Sequence, residues 1–123
     1  MACTLSLILV AHGSKDPKWC KSFENLAVET LGPTSLRLAY MDLAEPSLFS
    51  VTEDLSKNGT KKIKILPLFM SGGGHVDKDI PRQVKELKTK FPEIDFEILP
   101  PIGEHPVIFK SMQEIIREYA QKN

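Results

Sequence analysis

Short apolar runs alternate with stretches in which apolar residues recur every three or four positions, and the alternation returns at intervals of about 30 residues. That rhythm predicts βαβ units and a parallel sheet. A first strand is expected over residues 5–11, "LSLILVA". The helix after it runs from Pro17 and carries Trp19, Phe23, Leu26, Ala27 and Leu31 at helical spacing, until Gly32 and Pro33 stop it. A second strand, "SLRLAYM", leads to a helix opening at Pro46 and ending at Asn58 and Gly59. A third, "KIKILPLF", leads to a helix after Asp79 on which Ile80, Val84 and Leu87 share a face. The fourth, "IDFEIL", leads to a final helix with Val107, Ile108, Met112, Ile115, Ile116 and Tyr119.

The same pattern orders the strands. Strand one is apolar at nearly every position and strand three ends in an apolar run, as strands covered on both faces do. Strand two (Leu36, Arg37, Leu38, Ala39, Tyr40) and strand four (Ile94, Asp95, Phe96, Glu97, Ile98) alternate and suit the edges. Right-handed crossovers then favour the order 2-1-3-4. The expected fold is α/β, a four-stranded parallel sheet with helices on both faces. Residues 1–123 are expected to form a single domain, with no linker or internal repeat.

In open α/β sheets ligands bind beyond the carboxyl ends of the strands, where neighbouring connections leave on opposite faces. Here that point lies between strands one and three, followed by the two most unusual segments, "AHGSKDP" and "FMSGGGHVDKD". His12 and His75 are expected to face each other across one crevice. "MDLAEP" brings Glu45 to the same edge, and "PPIGEHP" brings Glu104 and His105.

Composition narrows the partners. Sixteen basic residues balance sixteen acidic ones, so no overall field favours nucleic acid, and an anionic ligand must be met by locally placed Lys and Arg. Cys3 and Cys20 form no CxxC pattern and have no secretory context, which points to reduced thiols in a cytoplasmic protein. "LSLILVA" has no basic residue before it and is too short to span a bilayer, so no membrane segment is expected. A chain of 123 residues is small for an enzyme with an enclosed pocket, which suggests that a single copy lacks part of the site.

Two imidazoles beside a carboxylate suit a late first-row divalent metal and leave coordination positions open, as a site that hands metal onward requires. The plainer alternative is that both histidines satisfy local hydrogen bonds. The glycines fit a turn, an anion cradle or close approach of something broad and flat, but neither a Walker loop nor GxGxxG is present. "AHGS" lacks the arginine that precedes the histidine of histidine phosphatases, since Ala11 stands there, and a receiver domain would need acids where His12 and the glycines lie. Lys15, Lys18, Lys78, Arg82 and Lys85 flank the crevice, either to bind carboxylates or as a solvated face.

"LILVAHGSKDP", "MDLAEPSL", "LPLFMSGGGHVDKDIP" and "PPIGEHP", in that order and spacing, resemble the short sirohydrochlorin chelatases (small cobaltochelatases) of the class II chelatase superfamily, over nearly the whole chain. The resemblance implies a chelatase-like lobe that inserts cobalt or iron, with nickel as a further candidate, into a tetrapyrrole without ATP in cobalamin or siroheme synthesis. It implies His12 and His75 as metal ligands, Glu45 as the assisting carboxylate, and a homodimer in place of the two lobes of longer members. His105 is unassigned. The metal is then substrate, with no permanently bound cofactor. Ser14, Gly72, Gly73, Gly74, Lys78 and Arg82 complete the expected set as tetrapyrrole-binding residues: the glycines lie flush against the ring and the basic residues take its carboxylates. Neutral imidazole is the metal-binding form, so loading should fall in mild acid. A non-catalytic metal or tetrapyrrole carrier is the alternative, and a structural α/β module the blandest one.

Overall fold

Branched aliphatic residues dominate the strands, and in a computed structural model of the chain they pair as a parallel sheet. The structure describes residues 5–13, 16, 18, 20, 21, 24, 25, 36–42, 44–70 and 75–121, with residues 75–77 described by their backbone. Strands β1 (Leu5–Ala11), β2 (Leu36–Tyr40), β3 (Lys62–Pro67) and β4 (Asp95–Ile98) lie in the order β2-β1-β3-β4, every pair parallel, as the patterning predicts. Leu9 at the centre of the sheet stands opposite both Leu38 and Leu66.

One sheet face carries the larger core. Ile8, Val10, Ala39, Ile63, Ile65 and Phe96 pack there against Leu48, Val51 and Leu55 of α1 (Leu48–Lys57) and Ile80, Val84 and Leu87 of α2 (His75–Lys90). The polar groups trapped beside it are paired: Ser6 Oγ lies 3.1 Å from Thr60 Oγ1, and Thr52 Oγ1 donates to the Leu48 carbonyl at 2.8 Å. The other face presents Leu7, Leu9, Leu36, Leu38, Leu66 and Leu68. The described residues of the helix expected from Pro17, namely Lys18, Cys20, Lys21, Glu24 and Asn25, are helical; Trp19, Phe23, Leu26, Ala27 and Leu31 lie outside the described residues.

Two helix starts and three strand ends differ from expectation. α1 opens at Leu48 rather than Pro46, because Ser47 is its cap: Ser47 Oγ accepts from the Ser50 N–H at 3.1 Å and Ser50 Oγ from the Ser47 N–H at 3.0 Å. Pro46 still belongs to the strand return, its carbonyl accepting the Tyr40 N–H at 2.9 Å. α2 opens at His75, before Asp79, and holds Pro81 inside it. The proline is exposed, so the helix carbonyl that loses its N–H partner there can turn to water. The later strands also end a residue or two early, at Tyr40, Pro67 and Ile98.

The last helix, α3 (Pro106–Gln121), has the predicted amphipathic spacing but buries none of its residues. Among the described elements it packs closely only on the short 3-10 turn Ile102–Glu104. No helix among the described residues is long and apolar enough to cross a membrane.

Candidate functional site at the strand exits

The four strands end along one edge, and backbone contacts tie their exits into a row. Met41 N–H donates to the Ala11 carbonyl at 2.9 Å, joining the exits of β2 and β1. Leu68 N–H donates to Val10 at 2.8 Å, joining β3 to β1, and Gly103 N–H donates to Phe69 at 2.9 Å, joining β4 to β3.

Two glycines make this stitching possible. Gly13 has φ +97°, and a Cβ there would fall on the Asp42 carbonyl oxygen. At Gly103 a Cβ would fall on the Met70 backbone. Both are therefore close-approach positions between neighbouring exits.

His12 follows directly on β1 and is exposed. Its ring stands edge-on to Phe69, with centroids 5.0 Å apart and planes at 82°. That contact sets the imidazole against the segment leading out of β3. From Met70 the chain continues to His75, which opens α2. Only the backbone of His75 is described, while Ser14, Gly72, Gly73 and Gly74 lie outside the described residues.

Glu45 sits on the loop that leaves β2 and returns to it at the Tyr40–Ser47 bridge. It is exposed, and its Oε2 accepts the Ser47 N–H at 3.1 Å, so the carboxylate caps the start of α1 in this state. Tyr40, Met41, Asp42, Ala44, Glu45 and Ser47 line a shallow cavity of 530 Å³ at that exit. Tyr40 forms the floor: burial, then its interactions with Cys20 and the charge of Glu24, push its phenol up to about 12. It stays protonated and donates to the Cys20 carbonyl at 3.2 Å.

The basic candidates stand further out. Lys78 is exposed on α2, as is Arg82, whose Nη2 lies 3.2 Å from Asp79 Oδ1. A ligand carboxylate at Arg82 would compete with that partner. His105 has a structural task, its Nδ1 accepting the Val107 N–H at 3.1 Å and so capping α3.

The row thus brings His12 and the Glu45 loop to one edge with the backbone leading to His75. Among the described residues no group of three or more His, Cys, Asp or Glu side chains is arranged to hold a metal ion, so that part of the edge offers separate donors rather than a closed cage. Sequence reasoning passed over Phe69, the ring that orients His12, and the close-approach roles of Gly13 and Gly103. The available signal was positional: each glycine lies a few residues past a strand end.

The CbiX family model matches residues 6–119. The sirohydrochlorin cobaltochelatase of Sulfolobus acidocaldarius is 32% identical over 119 residues, 96% of this chain and 91% of that protein. A crystal structure of a CbiX protein from Marinobacter aquaeolei VT8 superposes with a TM-score of 0.84 at 32% identity, covering 97% of this chain and 99% of that one. The sirohydrochlorin chelatase SirB from Bacillus subtilis subspecies spizizenii, in complex with cobalt, has the same fold at a TM-score of 0.79 and 20% identity, with 94% of this chain matching 51% of SirB. With the family model spanning nearly all of the sheet and helices just described, the chain belongs to the CbiX family.

Proposed function

We propose that this chain inserts a divalent metal ion into sirohydrochlorin without ATP, and that His12, His75 and Glu45 carry the reaction. The supporting observation is the placement of His12: it stands on Phe69 at the exit of the central strand, beside the segment that leads to His75. The relatives named as sirohydrochlorin chelatases share this fold and, in the cobaltochelatase of Sulfolobus acidocaldarius, about a third of the sequence, 32%.

The chemistry asks for three things. The metal needs donors that hold it yet release it; neutral imidazoles at His12 and His75 leave most of its coordination sphere open to pyrrole nitrogens. The macrocycle loses two N–H protons as the metal enters, and the Glu45 carboxylate is the acceptor that relays them to solvent. Gly72, Gly73 and Gly74 keep side chains off the ring face, Ser14 hydrogen-bonds at its edge, and Lys78 and Arg82 meet its peripheral carboxylates. Cobalt, iron or nickel is then a substrate, and no permanent cofactor takes part. Residues 1–123 act as one chelatase-like lobe, a second copy completes a homodimer, and the reduced cysteines suit a cytoplasmic setting.

Insertion of cobalt into sirohydrochlorin, followed by tetrapyrrole absorbance, tests the assignment. His75→Ala and His12→Ala are each expected to lower the rate by roughly 100-fold or more, in line with loss of a metal ligand. Wild-type rates in either variant remove that histidine from the mechanism. Glu45→Gln keeps an oxygen to accept the Ser47 N–H, so the loop should hold and metal should still bind while turnover drops. Lowering the pH should weaken loading, because protonated imidazole cannot ligate. One equivalent of product without further turnover would instead indicate a carrier.

A further inference from the structure

The backbone N–H of Ser47 serves two acceptors at once: Glu45 Oε2 lies 3.1 Å from the nitrogen and Ser50 Oγ 3.0 Å. An N–H carries one proton, and a single good acceptor satisfies it. The Ser50 hydroxyl is fixed in place, since it donates to the Ser47 carbonyl at 3.1 Å while the Ser50 N–H donates to Ser47 Oγ, also at 3.1 Å. Ser50 belongs to the first turn of α1, whereas Glu45 is exposed on the loop before the helix. Of the two acceptors, the carboxylate is the one that can leave.

Its departure would disturb little else. The loop backbone stays anchored through the Tyr40 N–H, which donates to the Pro46 carbonyl at 2.9 Å. Beside the loop is the cavity of 530 Å³, with Tyr40, Asp42 and Ser47 among its walls, which gives the Glu45 side chain room to turn. The Asp42 backbone abuts Gly13, the residue after His12, so a carboxylate turning through that cavity stays on the His12 edge.

We propose that Ser50 is a positioning residue for metal insertion: it keeps the Ser47 N–H when Glu45 turns to the macrocycle, so the carboxylate alternates between the α1 cap and the reaction without stranding a backbone donor. In each cycle Glu45 exchanges the Ser47 N–H for a pyrrole N–H, takes that proton on a carboxylate oxygen, passes it to water and returns to the cap. The inference rests on Glu45 as the proton acceptor of the proposed function and adds the group that frees it. Without the Ser50 hydroxyl, Glu45 would be the remaining side-chain acceptor at Ser47, and each excursion would cost about one ordinary hydrogen bond.

Hydrogen exchange at the Ser47 amide, in the full chain without metal or tetrapyrrole, tests the takeover, and cobalt insertion into sirohydrochlorin tests its use. In Glu45→Ala the amide should exchange as slowly as in the wild type. Adding Ser50→Ala should speed it roughly 2- to 10-fold. Ser50→Ala alone keeps the Ser50 N–H on Ser47 Oγ, so α1 remains capped. It should lower kcat by roughly 2- to 10-fold with KM for cobalt and sirohydrochlorin unchanged, and Ser50→Thr, which retains a hydroxyl, should recover the rate. In a Glu45→Gln background Ser50→Ala should lower kcat no further, because Ser50 acts through the carboxylate. Faster Ser47 exchange in Glu45→Ala alone overturns the inference, and so does an equal loss of kcat from Ser50→Ala in both backgrounds, which would make the serine merely structural. Wild-type kcat in Ser50→Ala while Glu45→Gln is slow also overturns it, and leaves the proton-acceptor role standing. Unchanged turnover in Glu45→Gln defeats that role itself, and the inference with it.

Discussion

α2 and α3 are both 16-residue amphipathic helices, yet only one of them is packed. Ile80, Val84 and Leu87 of α2 are 1%, 2% and 3% exposed, whereas the corresponding face of α3 is open to solvent. The difference lies in the tethers. α2 starts from the exit of β3 and is returned at once to β4 by a tight turn, Phe91 N–H donating to Leu87 and Ile94 N–H to Phe91. Both ends being held by the sheet, its apolar face has one place to go. α3 is anchored at its first turn, through Gly103 and His105. Apolar spacing thus determines which face of a helix must be covered, and the connections decide what covers it.

The packed side of the comparison should show the largest effect. Ile65 is fully buried on β3, opposite Ile8 on one side and Ile98 on the other. Ile65→Ala should lower unfolding free energy by about 2–5 kcal/mol, the range for a buried large-to-small change whose cavity cannot collapse. Urea unfolding at several protein concentrations would give the same loss at each, because the contact is internal. A loss below about 1 kcal/mol would mean that this face is looser than its burial implies.

Tyr40 sharpens the picture on the opposite sheet face, which is open near β3 and β4 but sealed near β1 and β2, where Tyr40, Leu9 and Leu36 are buried. Its phenol is raised to about 12 in the folded chain by burial first, and ordinarily titrates near 10. The folded state therefore holds the proton to higher pH than the unfolded one. The corresponding stability is intact below pH ~10 and is lost as pH rises through about 12, a change of up to about 3 kcal/mol. Tyr40→Phe should flatten the unfolding free energy between those limits, after a small loss at neutral pH for the bond to Cys20. An unaltered alkaline slope in the variant would assign the transition to another group.

The sheet was legible because its signals are local and redundant: β1 and β3 are apolar runs, β2 and β4 alternate, and crossover handedness leaves one order that suits both. Helix starts were less legible, since Pro46 looks like the opening of α1 while the Ser47–Ser50 hydrogen bonds that start it are not displayed by composition. At the site, the row of exits followed from strand order, so His12 and Glu45 could be placed on one edge before any coordinates. What could not be read was how that edge is held. The overlap a Cβ at Gly13 would make with Asp42, or one at Gly103 with Met70, is a contact between segments far apart in the chain, and the Phe69 ring beside His12 is apolar in the sequence whether it fills a core or orients a ligand. The idle face of α3 was invisible for the same reason, because periodicity looks identical in a helix that packs at home and one that packs elsewhere.

The smallest expected effect bears most directly on the comparison. Ile116 is 65% exposed, so in solution dilute enough for single copies Ile116→Ser should change unfolding free energy by no more than about 0.5 kcal/mol. An association that covers this residue makes apparent stability depend on concentration, since whatever binds only the folded state adds to it by mass action. The wild-type urea midpoint should therefore climb as protein concentration rises, while that of Ile116→Ser climbs less. Ile65→Ala should fall below the wild type by a constant margin throughout. If Ile116→Ser instead costs several kcal/mol at every dilution, α3 is packed within its own copy, and the contrast with α2 disappears.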